Sequence, residues 1–428
     1  MATQTDTPET LAERLVSWTI QGTWLFWLVG GLYIVGPALG WTLAGIAAWR
    51  VYERIGPAPG DASPLGASVV LVWIVGMLAM LVALVAGHAL NGLGAAQTLK
   101  SAIGWAKGWA LLAVYPAAAF YLDIRPQVLY RAICRLGGQT LWLLPIFLIA
   151  PFLGLPQTLY VSPLKIFGGS SSEFFAVVLY TIDPDAGIMR WQFFAPWSPA
   201  AGMVAVVHVL LALEESSARW RWVGVAAGLA IAIMSESRLA LVALALAWPA
   251  SHILARARHP AFWFVGGAGA LTLGLFSQTV FGLLQELNDR FRGARPASSR
   301  VRATLGRIAI DRWQNEAMWF GHGVVERGPH LVEYMPIGSH HSWYGLLFVK
   351  GLVGLVALAV PLAYSLAVCL WLALRGPLGR VALAMLLVIL MYSFGENLEV
   401  LGYLFWPALV AVGIAARRGA GSSRVVAE

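Results

Sequence analysis

The chain has 428 residues, of which 59% are hydrophobic and 12% charged, and its formal net charge is +8. Globular domains carry about 25% charged residues, so this composition excludes a soluble domain and predicts an all-α polytopic integral membrane protein. The two cysteines, Cys134 and Cys369, stand far apart in apolar surroundings. We therefore expect neither a disulfide framework nor a cysteine metal cluster.

The N-terminal region is polar and mildly acidic up to Val16 and contains no basic n-region or evident small-residue cleavage site. We therefore expect an uncleaved first span and not a signal peptide.

The apolar runs predict about twelve transmembrane helices in one membrane domain that covers residues 1–428, at about 20 residues a span. The run from Trp18 to Arg50 is too long for one helix and is interrupted at Pro37, so it predicts a tight pair of spans. The other ten predicted spans are Leu65–Ala86, Ile103–Tyr121, Thr140–Gly154, Phe193–Leu213, Trp222–Met234, Leu239–Leu254, Ala261–Val280, Leu346–Leu374, Val381–Phe394 and Leu401–Ala415.

The arginines predict the orientation of these spans. Alternating the spans places both termini and most arginines on one face, which the positive-inside rule makes cytoplasmic. Arg190 and Arg238 are left on the outer face. The arginines predicted to be cytoplasmic are Arg14, Arg50, Arg54, Arg125, Arg131, Arg135, Arg219, Arg221, Arg256, Arg258, Arg375, Arg380, Arg417, Arg418 and Arg424.

A polar segment from Asn288 to Ser342 separates two long apolar regions. It holds eight arginines, five acids and four of the eight histidines. A solvated linker needs none of this chemistry. We therefore interpret the segment as an anion-handling site with a histidine base at its C-terminal end, inside an outer loop region that we place at 282–345.

Within this segment the apolar residues recur at helical spacing. They predict an amphipathic helix on the membrane surface, which ends at Gly321 and Gly323. Such a helix taken alone is more often a contact with lipid headgroups than a catalytic element. The polarity of a loop is the simpler explanation of His322 and His330. The residues of the apolar face are Leu305, Ile308, Ala309, Trp313, Ala317 and Phe320.

Three further features bear on the chemistry. His340 and His341 stand where the polar loop re-enters the membrane, so that an imidazole would face the headgroup region beside several guanidinium groups. An arginine in an apolar run costs about 2.5 to 3.5 kcal/mol on insertion scales, so Arg238 needs a partner or a task. A salt bridge to Glu236 or snorkelling would also explain Arg238, and an aromatic-belt anchor would explain Arg190.

Four motifs carry a family resemblance. They are SESRLALVALAL around Arg238, RWQFFAPWSPAAG from Arg190, SSRVRATLGRIAIDRWQNEAMWFGHG from Ser298 and SHHSWYGLLFVKGLVG from Ser339. In order and spacing they resemble the O-antigen ligase and polymerase superfamily of bacterial envelope polysaccharide enzymes, most of all the O-antigen ligases. The resemblance covers roughly the second half of the chain. It places His340 at the family's histidine and His341 where asparagine is usual.

The resemblance implies a GT-C-like membrane glycosyltransferase whose long periplasmic loop contains amphipathic helices. Such enzymes transfer a glycan from undecaprenyl diphosphate to an acceptor hydroxyl at the periplasmic face of the inner membrane, usually with inversion. We assign the diphosphate to Arg190, Arg238, Arg300 and Arg302. We assign the role of general base to His340, with His341 as the alternative imidazole.

No motif predicts a metal or a cofactor. The nearest to a metal motif is Asp183-Pro184-Asp185, whose proline makes a shared metal doubtful. The expected partners are an undecaprenyl-diphosphate-linked glycan, the lipid A core and membrane lipids, and no nucleic acid. A polymerase stays open as the alternative, and a transporter or flippase of lipid-linked glycans as a more distant one. A transporter would be expected to show inverted repeats, which the sequence does not display.

Overall fold

The computed structural model describes residues 7–53, 64–167, 171–183, 187–293 and 296–418, and these ranges are mostly helical. Four short strands, β1 (Thr158–Val161), β2 (Ala176–Val178), β3 (Thr181–Ile182) and β4 (Met189–Arg190), form two antiparallel pairs. The helices are α1 (Leu11–Gln21), α2 (Thr23–Val29), α3 (Leu32–Glu53), α4 (Pro64–Leu90), α5 (Gly94–Lys107), α6 (Leu111–Leu122), α7 (Pro126–Ile149), α8 (Ser198–Ala212), α9 (Ala218–Met234), α10 (Arg238–Leu254), α11 (Pro260–Leu275), α12 (Ser277–Gly293), α13 (Pro296–Glu316), α14 (Ser342–Ala373), α15 (Pro377–Ser393) and α16 (Leu398–Arg418).

Within the described ranges five helices are long and apolar enough to cross a membrane, and α11 with the start of α12 makes a sixth if the two are one bent span. The chain is therefore a multi-pass membrane protein. Four more apolar helices are shorter, so the predicted total of twelve spans stays a prediction. The five long helices are α3, α4, α7, α14 and α16, and the shorter ones are α6, α8, α10 and α15.

Two apolar runs are interrupted at residues where the sequence did not predict a break. The prediction of a break at Pro37 is wrong, because α3 continues through this residue. The chain breaks instead at Gly30, whose φ of 67° is a left-handed conformation that ends α2. The span predicted from Ile103 to Tyr121 is divided at Gly108, where the backbone of Glu399 in α16 approaches too closely for a side chain.

One end of the bundle is held together by ion pairs. Arg131 in α7 bonds Glu215 at 2.8 Å, and Arg380 in α15 bonds Glu214 at 2.9 Å. At the same end Arg418 of α16 bonds Asp123 at 2.8 Å. All three arginines belong to the set that the sequence places on the cytoplasmic face, so the fold gathers members of that set at one end.

The opposite end carries the polar segment. There the N-terminus of α14, the C-terminus of α15 and the N-terminus of α16 meet, beside the start of α8 and the end of α9. Helix α13 packs its apolar face onto this end, with Val301, Leu305 and Ala309 buried against Phe348 and its neighbours. The amphipathic helix predicted from the sequence therefore exists. Its predicted end at Gly321 and Gly323 is wrong, because Glu316 is its last residue and Ala317 and Phe320 lie beyond it.

Helix α14 is broken where the polar segment docks on it. Gly351 has φ 63° and ψ −161°, which interrupts the helical hydrogen bonds. Groups of the connection after α13 replace them: the His322 N–H donates to the Phe348 carbonyl at 2.8 Å, and the Leu352 N–H donates to the Met318 carbonyl at 2.9 Å. A side chain at Gly351 would lie 2.4 Å from the Trp319 carbonyl group, so only glycine permits this approach.

Candidate functional site

The adjacent histidines His340 and His341 have different surroundings. His341 precedes α14 as its N-cap, and its Nδ1 accepts a hydrogen bond from the Tyr344 N–H at 3.3 Å. Its ring stacks on Tyr344 with 3.9 Å between centroids. His341 therefore has a structural role as the residue that caps the helix. His340 does not cap the helix.

His340 is half-buried in the turn before α14. Burial, and then the positive charge of Arg302, lower the pKa of His340 to about 4. The imidazole is consequently neutral at physiological pH. A neutral imidazole can accept a proton, although the lowered pKa makes it a weaker base than an ordinary histidine.

The helix that carries Arg302, α13, packs against the start of α14 beside this turn. The surface of α13 is notched at Gly306, where a side chain would lie 2.7 Å from the Tyr344 ring. The buried Leu305 holds the helix down next to this contact. Arg302, one turn earlier, is exposed, and so is Arg300. The charge of Arg302 thus acts on His340, whereas no contact of Arg300 with the other predicted site residues is found in the described chain.

The connection between α15 and α16 lies along the histidine turn. The Ser342 hydroxyl donates to the Glu396 carbonyl at 2.7 Å and accepts from the Leu398 N–H at 3.0 Å. Trp343 Nε1 donates to the Ser393 hydroxyl at 2.8 Å. These bonds fix the start of α14 against residues 393–398.

Glu396 in this connection is the residue that the sequence analysis missed. Its side chain is buried, and the indole Nε1 of Trp197 donates to its Oε2 at 2.9 Å. Burial raises the pKa of Glu396 to about 7, although the charge of Arg302 and the Trp197 hydrogen bond act in the opposite direction. The sequence shows only an acid in a four-residue connection between two apolar helices. No motif marks this acid as a site residue.

Arg190 lies in strand β4 and pairs with the buried Asp183 next to β3, at 3.0 Å. The following residue connects this hairpin to the end of α9, because the Trp191 N–H donates to the Met234 carbonyl at 3.1 Å. The aromatic-belt explanation does not account for the ion pair. A phosphate bound at Arg190 would have to share the guanidinium with Asp183.

Arg238 is the first residue of α10, which the Ser237 side chain caps by accepting from the Ala240 N–H at 3.3 Å. The Met234 carbonyl, which accepts from the Trp191 N–H next to Arg190, lies four residues before Arg238. Ser235 and Ser237 stand between them. On its other side Leu239 lies against Gly395, next to Glu396. The connection 393–398 is therefore contacted by Leu239 next to Arg238, by Trp197 seven residues after Arg190, and by Ser342 two residues after His340.

The remaining histidines of the segment are structural or exposed. His322 Nε2 lies 2.7 Å from Glu316 Oε2, and its ring stacks on Phe348 at 4.3 Å. Arg312 and His322 together lower the pKa of Glu316. His330 is exposed and contacts Tyr334.

Metal ligands do not cluster in the described part of the chain, where no group of three or more His, Cys, Asp or Glu side chains could hold an ion. Of the Asp183-Pro184-Asp185 motif only Asp183 lies inside the described residues, and it pairs with Arg190.

No protein-family model matches the chain. No curated protein matches it significantly either.

Proposed function

We propose that the protein is an O-antigen ligase, which transfers a glycan from undecaprenyl diphosphate to a hydroxyl group of lipid A core. The observation that supports this function best is the packing of α13, which carries Arg300 and Arg302, against the start of α14, next to His340. Trp197, seven residues after Arg190, and Leu239, next to Arg238, contact Glu396 and Gly395. This is the combination of phosphate-binding cations and a proton acceptor that such a transfer needs.

The chemistry is a single displacement. The acceptor hydroxyl oxygen attacks the anomeric carbon of the glycan, its O–H bond breaks, and the proton goes to His340. The bond between the anomeric carbon and the diphosphate oxygen breaks at the same time, and the electron pair leaves with the lipid diphosphate. Attack from the face opposite the leaving group inverts the anomeric centre. General-base help of this kind contributes about 10² to 10⁴ in rate.

The leaving diphosphate gains negative charge, which guanidinium groups stabilise by paired hydrogen bonds to phosphate oxygens. We assign this role to Arg238, Arg302 and Arg190, with Arg300 as a further contact from α13. The N-terminus of α10 adds the partial positive charge of its helix dipole at Arg238. In this proposal the transfer proceeds without a metal ion or a cofactor.

The proposal includes an orientation. The ion-paired end with Arg131, Arg380 and Arg418 faces the cytoplasm by the positive-inside rule, and both termini lie there. The end with His340 and the 282–345 loop region then faces the periplasm, in the bacterial inner membrane. About twelve spans in a GT-C-like arrangement belong to the same proposal, and membrane lipids surround them.

The experiment uses purified protein with glycan-loaded undecaprenyl diphosphate, in the presence of a chelator, with and without lipid A core. Glycan joined to the core is the expected result. Longer glycans from the donor alone would replace the ligase with an O-antigen or exopolysaccharide polymerase. No product in either mixture, together with movement of donor across proteoliposome membranes, would replace it with a transporter or flippase.

A further inference from the structure

The connection between α7 and α8 exposes a run of large apolar side chains. All four residues of β1 are exposed, so this strand shows apolar side chains on both of its faces. In the short turn between β1 and β2, Ile166 and Phe167 are 86% and 71% exposed. We call the exposed apolar residues of this connection the hairpin surface: Phe152, Leu153, Leu159, Tyr160, Val161, Ile166 and Phe167.

A surface of this kind is unusual for a strand that faces water. An antiparallel strand with one face in water alternates apolar and polar residues, whereas β1 reads Thr-Leu-Tyr-Val. Contiguous exposed apolar residues mark a contact with another protein or with a membrane. The hairpin surface is therefore expected to have an apolar partner.

The hairpin surface continues the lipid-facing side of a membrane helix. Helix α7 is long and apolar enough to cross a membrane, and Trp142, Ile146 and Ile149 are exposed on one of its faces. Phe152 and Leu153 continue this face, because their N–H groups donate to the Ile149 carbonyl at 3.0 and 3.1 Å. Membrane lipid, which covers the exposed face of α7, therefore adjoins the hairpin surface directly.

The hairpin is fixed to the bundle at the break between α2 and α3. The Ser162 hydroxyl donates to the Val29 carbonyl at 2.8 Å, and the Ser162 N–H donates to the Phe175 carbonyl at 2.9 Å. A side chain at Gly30 would lie 2.4 Å from the Ser162 Cβ atom, so the two backbones are in close contact. Leu164 packs against the core of the bundle. The residues that follow it, up to Phe167, are therefore held at a defined height relative to the helices.

The hairpin lies at the end of the bundle that carries the polar segment. The ring of Phe174, which directly precedes β2 with Phe175, lies 5.8 Å from the Trp197 ring. Trp197 in turn donates to Glu396, in the connection that bonds Ser342 at the start of α14. The hairpin surface thus faces the same lipid leaflet as the polar segment.

The backbone of the hairpin limits how deep it lies. Within the described ranges β1 is paired on one edge only, with β2. The backbone groups of a free strand edge need water or lipid headgroups, because open sheet edges do not occur in the hydrocarbon region. Lys165 is exposed beside Ile166, and its ammonium group suits lipid phosphates. Both features place the hairpin at the boundary between headgroups and acyl chains.

We propose that the hairpin surface is a membrane-docking site for the lipid leaflet at the end of the polar segment. Ile166 and Phe167 enter the upper part of the acyl chains, to a depth of about 5 to 10 Å. Lys165 contacts the lipid phosphates above them. This docking site is independent of the proposed glycan transfer, and its test needs no substrate.

The test attaches a nitroxide spin label to Phe167→Cys, and in a second protein to Ile166→Cys, in vesicles of phosphatidylethanolamine and phosphatidylglycerol. The native cysteines Cys134 and Cys369 are buried, and wild-type protein treated with the label gives the background. Relaxation of the label is measured with oxygen, which dissolves in lipid, and with a nickel complex, which dissolves in water.

Two further labelled positions calibrate the measurement. Glu173→Cys replaces an exposed acid of the same connection and should report water. Trp142→Cys replaces an exposed residue about two turns before the end of α7 and should report a deeper position in lipid. The ratio of oxygen to nickel relaxation at Phe167→Cys should be several-fold above that at Glu173→Cys and below that at Trp142→Cys.

The contact of Lys165 with lipid phosphates is tested by Lys165→Glu in the Phe167→Cys protein. Repulsion between the new carboxylate and phosphatidylglycerol should move the label towards water. The movement should be smaller in vesicles of phosphatidylcholine alone, which carry no net charge. A ratio that stays unchanged in both kinds of vesicle would overturn the assignment of Lys165.

Two results would overturn the docking site itself. A label at Phe167→Cys that the nickel complex reaches as easily as the label at Glu173→Cys would place the hairpin in water. A label that neither reagent reaches, and whose spectrum sharpens when labelled protein is diluted with unlabelled protein, would make a second copy of the chain the partner of this surface.

Discussion

The hydroxyl group of Ser342 connects the start of α14 to the Glu396 carbonyl at 2.7 Å and to the Leu398 N–H at 3.0 Å. Ser342 is 1% exposed, so its removal leaves two buried backbone groups unpaired. Ser342→Ala should cost about 1 to 3 kcal/mol of stability and slow glycan transfer, because the histidine turn loses its fixed position.

Thermal melting and the transfer rate check this prediction. Ser251→Ala is the matched control, since Ser251 is equally buried and makes a local bond to the Trp248 carbonyl at 2.8 Å. Equal losses of activity in both variants would contradict a special role for Ser342.

The indole of Trp197 is predicted to adjust the proton affinity of Glu396. Its N–H···O hydrogen bond favours the charged carboxylate and therefore lowers the pKa. Trp197→Phe should raise the pKa further and lower the Tm at about pH 8 by more than at about pH 5, because the unfolded chain releases this proton at lower pH.

The control is Trp191→Phe, because Trp191 Nε1 donates to the Phe147 carbonyl at 2.8 Å and not to a titratable group. The difference between its Tm at about pH 8 and at about pH 5 should equal that of the wild-type protein. A Trp197→Phe protein whose Tm falls equally at both pH values would show that the indole does not stabilise the carboxylate.

The two neighbouring histidines, His340 and His341, differ in their hydrogen bonds. His341 accepts from the Tyr344 N–H as the N-cap of α14, and asparagine is an equally good N-cap. His341→Asn should keep both stability and transfer close to wild type. His341→Ala should cost about 1 kcal/mol of stability while it still transfers glycan. Loss of transfer in His341→Asn with normal folding would make His341 the base.

Gly351 is predicted to be irreplaceable for the docking of the polar segment. Its φ of 63° is strained for other residues, and a methyl group would meet the Trp319 carbonyl at 2.4 Å. Gly351→Ala should cost at least about 1 to 3 kcal/mol and weaken transfer, since α13 and Arg302 are displaced.

Gly45→Ala is the control for Gly351, because no atom lies within 4 Å of the added methyl group. It should leave the Tm unchanged or raise it slightly, since alanine favours helices by about 0.5 to 1 kcal/mol. A Gly351→Ala protein with the melting temperature and activity of wild type would contradict the docking described for α14.

The sequence predicted the helical membrane class and the amphipathic α13 because hydrophobic periodicity depends on residues close in the chain. It also predicted that a histidine pair would begin a membrane helix, and α14 does begin at Ser342. The break at Gly30 was missed because Pro37 is the stronger local signal, and α3 accommodates this proline.

Contacts between distant segments could not be predicted in this way. Asp183 as the partner of Arg190, and Trp197 as the donor to Glu396, depend on how loops from different parts of the bundle meet. A single acid such as Glu396 has no periodicity or spacing that would mark it. Its burial becomes evident only when α15, α16 and α8 are packed together.

The most direct test of the account compares donor binding and glycan transfer in His340→Ala and Arg238→Ala, both in chelator-treated protein. If guanidinium groups hold the diphosphate and an imidazole accepts the proton, His340→Ala should bind glycan-loaded undecaprenyl diphosphate normally and lose about 10² to 10⁴ of its transfer rate. Arg238→Ala should bind the donor more weakly. A His340→Ala protein that transfers glycan at the wild-type rate would contradict the account.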